Sequence, residues 1–318
     1  MRWGILSTAN INAKLIAGAR DAGVELVAVG SRDETRCRAF ADQHGIPRVH
    51  GSYEALLADD GVDAIYNPLP NSLHVPWSIR ALEAGKHVLC EKPLTRDAGL
   101  VEQAFDAADR AGRVLMEAFM WRFHPQTAKV VELVRSGAIG QLRHVNARFG
   151  FNLDPGSGNV RWNEELEGGA LMDVGCYCVS GLRLLAGEPL RVSAERVGDG
   201  VDGRVAGVLR FAGDVTGTFD CGMDVYNRSG LEVVGNQDTL WIADPWHGQS
   251  PGIELASGKR IEVEAVNPYG RELLEVEAAV REGRAPALDR AESVGQARTI
   301  DALYRSAVEG RAITLTSG

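Results

Sequence analysis

Arg2-Trp3-Gly4-Ile5-Leu6-Ser7-Thr8-Ala9-Asn10-Ile11 opens the chain with an apolar run, a turn of small and polar residues, and the start of an amphipathic stretch. That order predicts a strand, a tight turn and a helix whose amino end faces the turn. A dinucleotide is received at such a place by backbone N–H groups and the positive end of the helix, if the turn lets it come close. The pattern G-x-G-x-x-G, however, falls on Ser7, Ala9 and Asn12, so all three glycines are missing. Ser7 and Ala9 are still small. On these residues alone, Ser7, Thr8, Ala9, Asn10 and Ile11 read equally well as a pyrophosphate-binding turn or as an ordinary first turn of an α/β fold.

The alternation continues outward to residue 118. Strands are predicted at Arg2–Leu6, Glu25–Gly30, Asp63–Tyr66, His87–Cys90 and Val114–Ala118, with helices at Ile11–Ala22, Asp33–His44, Ser52–Ala58, Pro76–Ala84 and Thr95–Ala111. Short apolar runs separated by helical periodicity imply a parallel sheet, whose carboxyl edge is where open α/β folds bind ligands. After Pro125 the rhythm changes. A helix at Gln126–Arg135 leads to a long alternating run, Gln141–Phe151, then a loop to Glu167 and a compact helix at Val174–Leu185. Further strands follow at Arg191–Val197, Val205–Phe211, Val215–Cys221, Leu231–Val234, Thr239–Ile242 and Ile261–Val266. Successive strands joined by turns suggest a mainly antiparallel sheet. Helices close the chain at Arg271–Glu282 and Ala291–Val308, the last free to pack back on the first domain. The fold class is α/β: a Rossmann domain over 1–120, then an α+β domain over 121–318 with an open, mainly antiparallel sheet.

The 318 residues, about twice the ~150-residue prior for one domain, agree with two domains. Apolar residues at 45% and charged residues at 24% are ordinary globular values that exclude disorder and fibrous classes. Lys plus Arg total 34 against 43 Asp plus Glu, and neither half is basic, which makes nucleic acid an improbable partner. No stretch approaches the ~18 apolar residues of a membrane span, and Met1–Leu6 turns polar too soon for a signal-peptide core. The reading is a cytoplasmic protein. Cys37, Cys90, Cys176, Cys178 and Cys221 are scattered and complete no zinc set, so buried thiols and no metal are expected.

Three places carry chemistry. After the second strand, Gly30-Ser31-Arg32-Asp33 offers a hydroxyl and a guanidinium before the acidic residue that would select NAD. Arg32 suits bidentate pairing with a 2′-phosphate and Ser31 can donate to it, favouring NADP over NAD. The alternative is a solvated Arg32 beside an Asp33 that caps the next helix. At the end of a later strand, Glu91-Lys92-Pro93 restricts Lys92 to extended geometry. Then Gly168-Gly169-Ala170-Leu171-Met172-Asp173-Val174-Gly175-Cys176-Tyr177 enters a helix that sets Asp173 and Tyr177 four apart, on one face. Taken singly, Lys92 reads as solvated, Asp173 as a cap and Tyr177 as core packing.

Together these segments resemble the Gfo/Idh/MocA oxidoreductase family over nearly the whole chain. The marks are Gly4-Ile5-Leu6, Pro70-Asn71-Ser72-Leu73-His74, Glu91-Lys92-Pro93 and the run 168–177. Glu117-Ala118-Phe119-Met120-Trp121-Arg122-Phe123-His124-Pro125 is similar to the branch of NADP-dependent D-xylose and dimeric dihydrodiol dehydrogenases, where the first glycines are often replaced. The resemblance implies an active site in the cleft between the domains and a homodimer or homotetramer built through the C-terminal sheet. It makes Lys92 the active-site lysine, often beside a cis Lys-Pro bond, Tyr177 the proton donor or acceptor, and Asp173 a substrate-binding carboxylate. It places Leu69, Asn71, His74, Glu91 and Lys92 along the cofactor with Ser7 to Ile11, Ser31 and Arg32, and makes Arg122 and Trp162 contacts of the substrate. His74 equally serves to cap or pack, and Trp162 to shield.

The activity implied is NADP-dependent hydride transfer to or from a carbon of a sugar, anhydrosugar or cyclic diol. A phenol of pKa ~10 is a poor base near neutrality unless a nearby ammonium stabilises its anion. Lys92 is the residue to supply that charge. Alternatives are a glycosidase using tightly bound NAD for transient oxidation, and a non-catalytic sugar sensor.

Overall fold

The computed structural model describes residues 1–315. It divides into two compact units: Met1–Met120 with Asn267–Val294, and Trp121–Val266 with the described residues from Gly295 onward. In the first unit β1 (Arg2–Leu6), α1 (Asn12–Ala22), β2 (Glu25–Gly30), α2 (Glu34–His44), β3 (Arg48–His50), α3 (Tyr53–Leu57), β4 (Ala64–Asn67), α4 (His74–Glu83), β5 (His87–Glu91), α5 (Ala98–Ala111) and β6 (Leu115–Ala118) alternate. Among the described residues the strands form a six-stranded parallel sheet in the order β3-β2-β1-β4-β5-β6, the Rossmann order. The order reverses between β1 and β4, which opens a crevice at their carboxyl ends.

Local chemistry accounts for these elements. Helices on both faces bury the central strands, so Ile5, Leu6, Ile65, Tyr66, Val88 and Leu89 are all inaccessible. Asp33 caps α2, Ser52 caps α3 and Asp97 caps α5 by accepting from main-chain N–H groups, and left-handed Gly23, Gly45 and Gly112 end α1, α2 and α5. The short edge strand β3 was not legible in the sequence, because three residues after Pro47 carry too little periodicity.

The second unit is built on α6 (Pro125–Arg135), β7 (Leu142–Asn152), α7 (Cys176–Ala186), β8 (Arg191–Val197), β9 (Arg204–Arg210), β10 (Thr216–Gly222), β11 (Asp224–Gly235), β12 (Thr239–Ile242), β13 (Ile253–Leu255) and β14 (Arg260–Ile261). The chain then forms α8 (Pro268–Glu282), α9 (Arg290–Glu309) and β15 (Ile313–Thr314). The second sheet runs β14-β13-β12-β11-β7-β10-β9-β8-β15. Among the described strands of this second sheet, only the β7–β10 pairing is parallel. A π-helical turn, Leu171–Gly175, runs directly into α7. The strand expected over Ile261–Val266 shrinks to Arg260–Ile261, an edge position with no neighbour beyond it to sustain pairing.

Two expectations change. The first unit takes in α8 and the start of the last helix, the division falling inside α9 after Val294. The physical reason is close helix contact: a Cβ on Gly270 would lie 2.3 Å from the Gly18 carbonyl oxygen, so glycines let α1 and α8 touch backbone to backbone. Trp3 Nε1 donates to Glu277 at 3.1 Å, and Arg290 pairs with Glu102, Asp106 and Asp109 on α5. Also, Glu164–Ala186 does match a membrane span by length and composition, but 78% of that window is buried inside the protein, as in a core helix.

Candidate active site

At the end of β1, Ser7 adopts φ 71°, the left-handed region in which the dinucleotide fingerprint places glycine. Its N–H donates to Gly30 O at 2.7 Å, and its carbonyl accepts from Asn12 Nδ2 at 2.9 Å. Asn12, fully buried at the third glycine position, therefore ties the turn to the helix. Thr8 is buried, Ala9 and Ile11 are half-buried and Asn10 is exposed. The Ser7 hydroxyl is buried without a partner, and α1 starts with neither a side-chain cap nor an acidic residue in its first turn. An unsatisfied hydroxyl beside an uncapped helix start fits an incoming anion, and so fits the pyrophosphate of a dinucleotide.

The end of β2 discriminates further. Ser31 is buried and donates its N–H to His50 O at 3.1 Å. Asp33 is committed to α2, accepting from Arg36 N at 3.0 Å. Arg32 is exposed, and its positive charge lies near enough to the Tyr53 hydroxyl to oppose the upward push of burial on that phenol. The carboxylate is thus taken by a cap while the cation stands at the strand end, a charge arrangement suited to a 2′-phosphate.

At the end of β5, Lys92–Pro93 is a cis peptide bond and Lys92 is half-buried. The loop is fastened on each side. Leu94 N donates to Glu117 Oε1 at 2.8 Å, and His74 sets Nδ1 2.8 Å from Pro93 O and Nε2 2.6 Å from Leu69 O. Burial pushes His74 down to about 4, against the pull of the two carbonyls. Glu91 turns inward, accepting from the Tyr66 hydroxyl at 2.5 Å. Glu272 of α8 is fully buried, and burial, with the Glu91 charge, pushes its carboxyl well above the usual carboxylate range. His74 and Glu91 therefore hold the edge together from inside, whereas Asn71, half-buried in the turn Asn71–Leu73, and Lys92 stand nearer its surface.

In the second unit, Tyr177 is 7% exposed. Its ring meets Phe149 edge-on at 5.4 Å and Trp246 at 6.0 Å, and Phe149 also packs against Trp246 and His247. Asp173, one turn earlier, accepts from Arg161 Nε at 2.7 Å. Arg122 donates to Ser180 Oγ at 3.3 Å, one turn beyond Tyr177 on α7. The Trp162 indole N–H is buried without a partner, a donor that remains unused. Asp173, Tyr177, Arg122 and Trp162 thus all belong to the neighbourhood of α7 or the loop before it. Sequence reasoning missed Phe149, Trp246, His247, Glu117 and Arg161 as members of these settings. Only Phe149 carried a signal, the period-two burial of Val145, Ala147 and Phe149 along β7.

A parallel sheet that fits a dinucleotide, joined in one chain to a unit presenting a carboxylate and a phenol on one helical segment, fits a nicotinamide-dependent oxidoreductase. Residues 1–119 match the oxidoreductase family with NAD-binding Rossmann fold, and residues 127–241 match the GFO/IDH/MocA C-terminal domain. The chain belongs to the Gfo/Idh/MocA oxidoreductase family. It is 43% identical to D-xylose 1-dehydrogenase (NADP(+)) 2 of Haloferax volcanii, covering 99% of this chain and 100% of that one. It is 35% identical to trans-1,2-dihydrobenzene-1,2-diol dehydrogenase of Mus musculus, covering 82% and 79%. The solved structure of a 3-ketoreductase from Actinomadura kijaniata in complex with NADP and TDP-benzene superposes with TM-score 0.90 at 31% identity, covering 96% and 97%.

Proposed function

We propose that this enzyme transfers hydride between NADP and a carbon of a sugar, anhydrosugar or cyclic diol, with Tyr177 as the proton relay and Lys92 as its electrostatic partner. The observation that carries the reading is the α7 segment itself: a carboxylate and a phenol one turn apart, the phenol set among Phe149 and Trp246. Aromatic faces suit the C–H face of a sugar ring, and the Asp173 carboxylate suits its hydroxyls. NADP supplies the hydride acceptor or donor. Oxidation removes the hydroxyl proton as hydride leaves carbon. Tyr177 accepts that proton, and in reduction returns it to the nascent alkoxide. The Lys92 ammonium stabilises phenolate and alkoxide alike. Ser7 and the amino end of α1 receive the pyrophosphate, and Ser31 with Arg32 the 2′-phosphate.

Val197, Val208 and the 90% exposed Tyr226 lie on β8, β9 and β11. They support a homodimer or homotetramer formed through this sheet. The five cysteines, all buried thiols, support a reducing cytoplasm. The test is a screen that follows NADPH and NADH absorbance against aldoses, ketoses, anhydrosugars and dihydrodiols in both directions. NADP-linked turnover of one of these is expected. Absence of nucleotide-linked turnover with every class would overturn the reading.

A further inference from the structure

The helical segment bearing Asp173 and Tyr177 is gripped at its start by a residue with no place in the chemistry above. Asp202, in the loop between β8 and β9, is 2% exposed. Its Oδ2 accepts from Leu171 N at 2.7 Å, its Oδ1 from the Tyr304 hydroxyl at 2.8 Å, and its carbonyl from Ala170 N at 2.8 Å. The fit is close: a Cβ on Gly169, whose φ is 131°, would stand 2.3 Å from Asp202 Oδ1 and 3.1 Å from Tyr304 Oη. The Gly169 carbonyl in turn accepts from Asp173 N at 2.9 Å. Five residues after Leu171, Cys176 O accepts from Gln296 Nε2 of α9 at 2.8 Å. Gln296 and Tyr304 are eight apart, two turns on one face of α9. That helix therefore reaches both ends of the π-helical turn, at its far end directly and at its near end through Asp202.

We propose that Asp202, held by Tyr304, is a positioning residue that sets the start and rotation of the π-helical turn and so the direction of Asp173 and Tyr177. This rests on the function proposed above. The physical argument has three parts. The first turn of a helix has N–H groups with no intrahelical acceptor, and a buried acceptor there selects where the helix begins. A carboxyl group at that end also meets the positive end of the helix dipole. A π turn relocates every later side chain, so the turn needs an external reference if Asp173 and Tyr177 are to face one ligand. Burial pushes the Asp202 carboxyl up, while the bonds from Leu171 and Tyr304 oppose that push. In this dry setting both oxygens depend on their donors.

The experiment compares Asp202→Ala, Asp202→Asn and Tyr304→Phe in the full chain by three readouts: turnover per folded molecule at saturating NADPH and sugar, NADPH affinity from nucleotide fluorescence, and amide exchange over residues 170–178. Misplacement of reacting groups by ~1 Å costs on the order of 10²-fold, so Asp202→Ala is expected to lose at least ~10-fold in kcat. NADPH affinity should stay within about twofold, since the residues that fit the nucleotide belong to the other unit. Asp202→Asn, which keeps an acceptor for Leu171 N, should recover most of the loss. Tyr304→Phe deletes one bond and keeps a folded protein even if the alanine variant does not accumulate, and it should give the same pattern in milder form. Faster exchange confined to 170–178 is the accompanying signature. Wild-type kcat and wild-type exchange in Asp202→Ala and Tyr304→Phe, with loss only of melting temperature, would overturn the proposal. The exchange arm needs no substrate. Should the parent enzyme turn over none of the substrate classes, the reading of function fails while exchange still decides the anchor.

Discussion

Acid should weaken this protein in part through His74, and the sign of the effect tests which protonation state the fold holds. His74 is 1% exposed and lies between two main-chain carbonyls, Leu69 O at 2.6 Å and Pro93 O at 2.8 Å. Two acceptors favour the doubly protonated cation, because neutral imidazole has one N–H to give. Burial opposes the cation, as does the Lys92 ammonium, and burial is the largest influence, leaving His74 at about 4 instead of 6.5. The unfolded chain therefore takes up a proton as pH falls through ~6.5, where the folded protein does not until about 4. Stability is full above the unfolded value and falls across that window. The shift corresponds to on the order of 3 kcal/mol in total, with a slope of at most ~1.4 kcal/mol per pH unit. His87, also pushed down to about 4 by burial, titrates over the same range, so the parent curve alone does not isolate His74. The assay is urea unfolding by tryptophan fluorescence from about pH 7.5 to about pH 4.5, in the parent and in His74→Gln. The variant is expected to be less stable at neutral pH, with a shallower acid dependence. A parent stability that rises on acidification would mean that the two carbonyls hold an imidazolium. Equal slopes in parent and variant would mean that His74 does not gain a proton on unfolding. Either result refutes the argument.

Three further outcomes are expected. Tyr177→Phe and Lys92→Ala should each lower turnover ~10²-fold or more while NADP still binds, the loss typical of a general acid–base group; near-parental kcat in both variants would remove the relay. Arg32→Ala should erode the ratio of kcat/KM for NADPH over NADH, measured with one substrate, because Asp33 is already occupied capping α2; an unchanged ratio counts against the 2′-phosphate assignment. Arg161→Ala should raise KM for the sugar about fivefold with little change in kcat, as expected of ~1 kcal/mol from an ion pair part-open to solvent. A kcat loss as large as that of Tyr177→Phe would instead place Arg161 in the chemistry.

The parallel unit was legible because its signals are local. Buried strands announce themselves as apolar runs, caps sit where Ser or Asp precedes a helix, and the predicted strand positions hold for β1, β2, β4, β5 and β6 within one residue or so. The turn at Ser7 was ambiguous for a physical reason. A serine in the left-handed region is sustained by Gly30 O and Asn12 Nδ2, neither of which the glycine pattern encodes. Lys92, Asp173 and Tyr177 were legible as motif residues, but their settings were not. Glu117 holding Leu94, and Arg161 holding Asp173, join residues 23 and 12 apart, separations that no helix or strand period encodes.

What the sequence determined by itself is the order and type of the elements, because strand and helix periods, caps and turn residues act between neighbours a few positions apart. Which late segment joins the first unit, which carboxyl is pushed up by burial, and what starts the turn before Tyr177 were decided only in three dimensions. Gly18 meets Gly270, the Glu91 charge acts on buried Glu272, and Asp202 reaches Leu171 and Tyr304. Each is a short-range force between groups far apart in the chain, and such forces exist only after packing has brought those groups within a few ångströms and excluded water from between them.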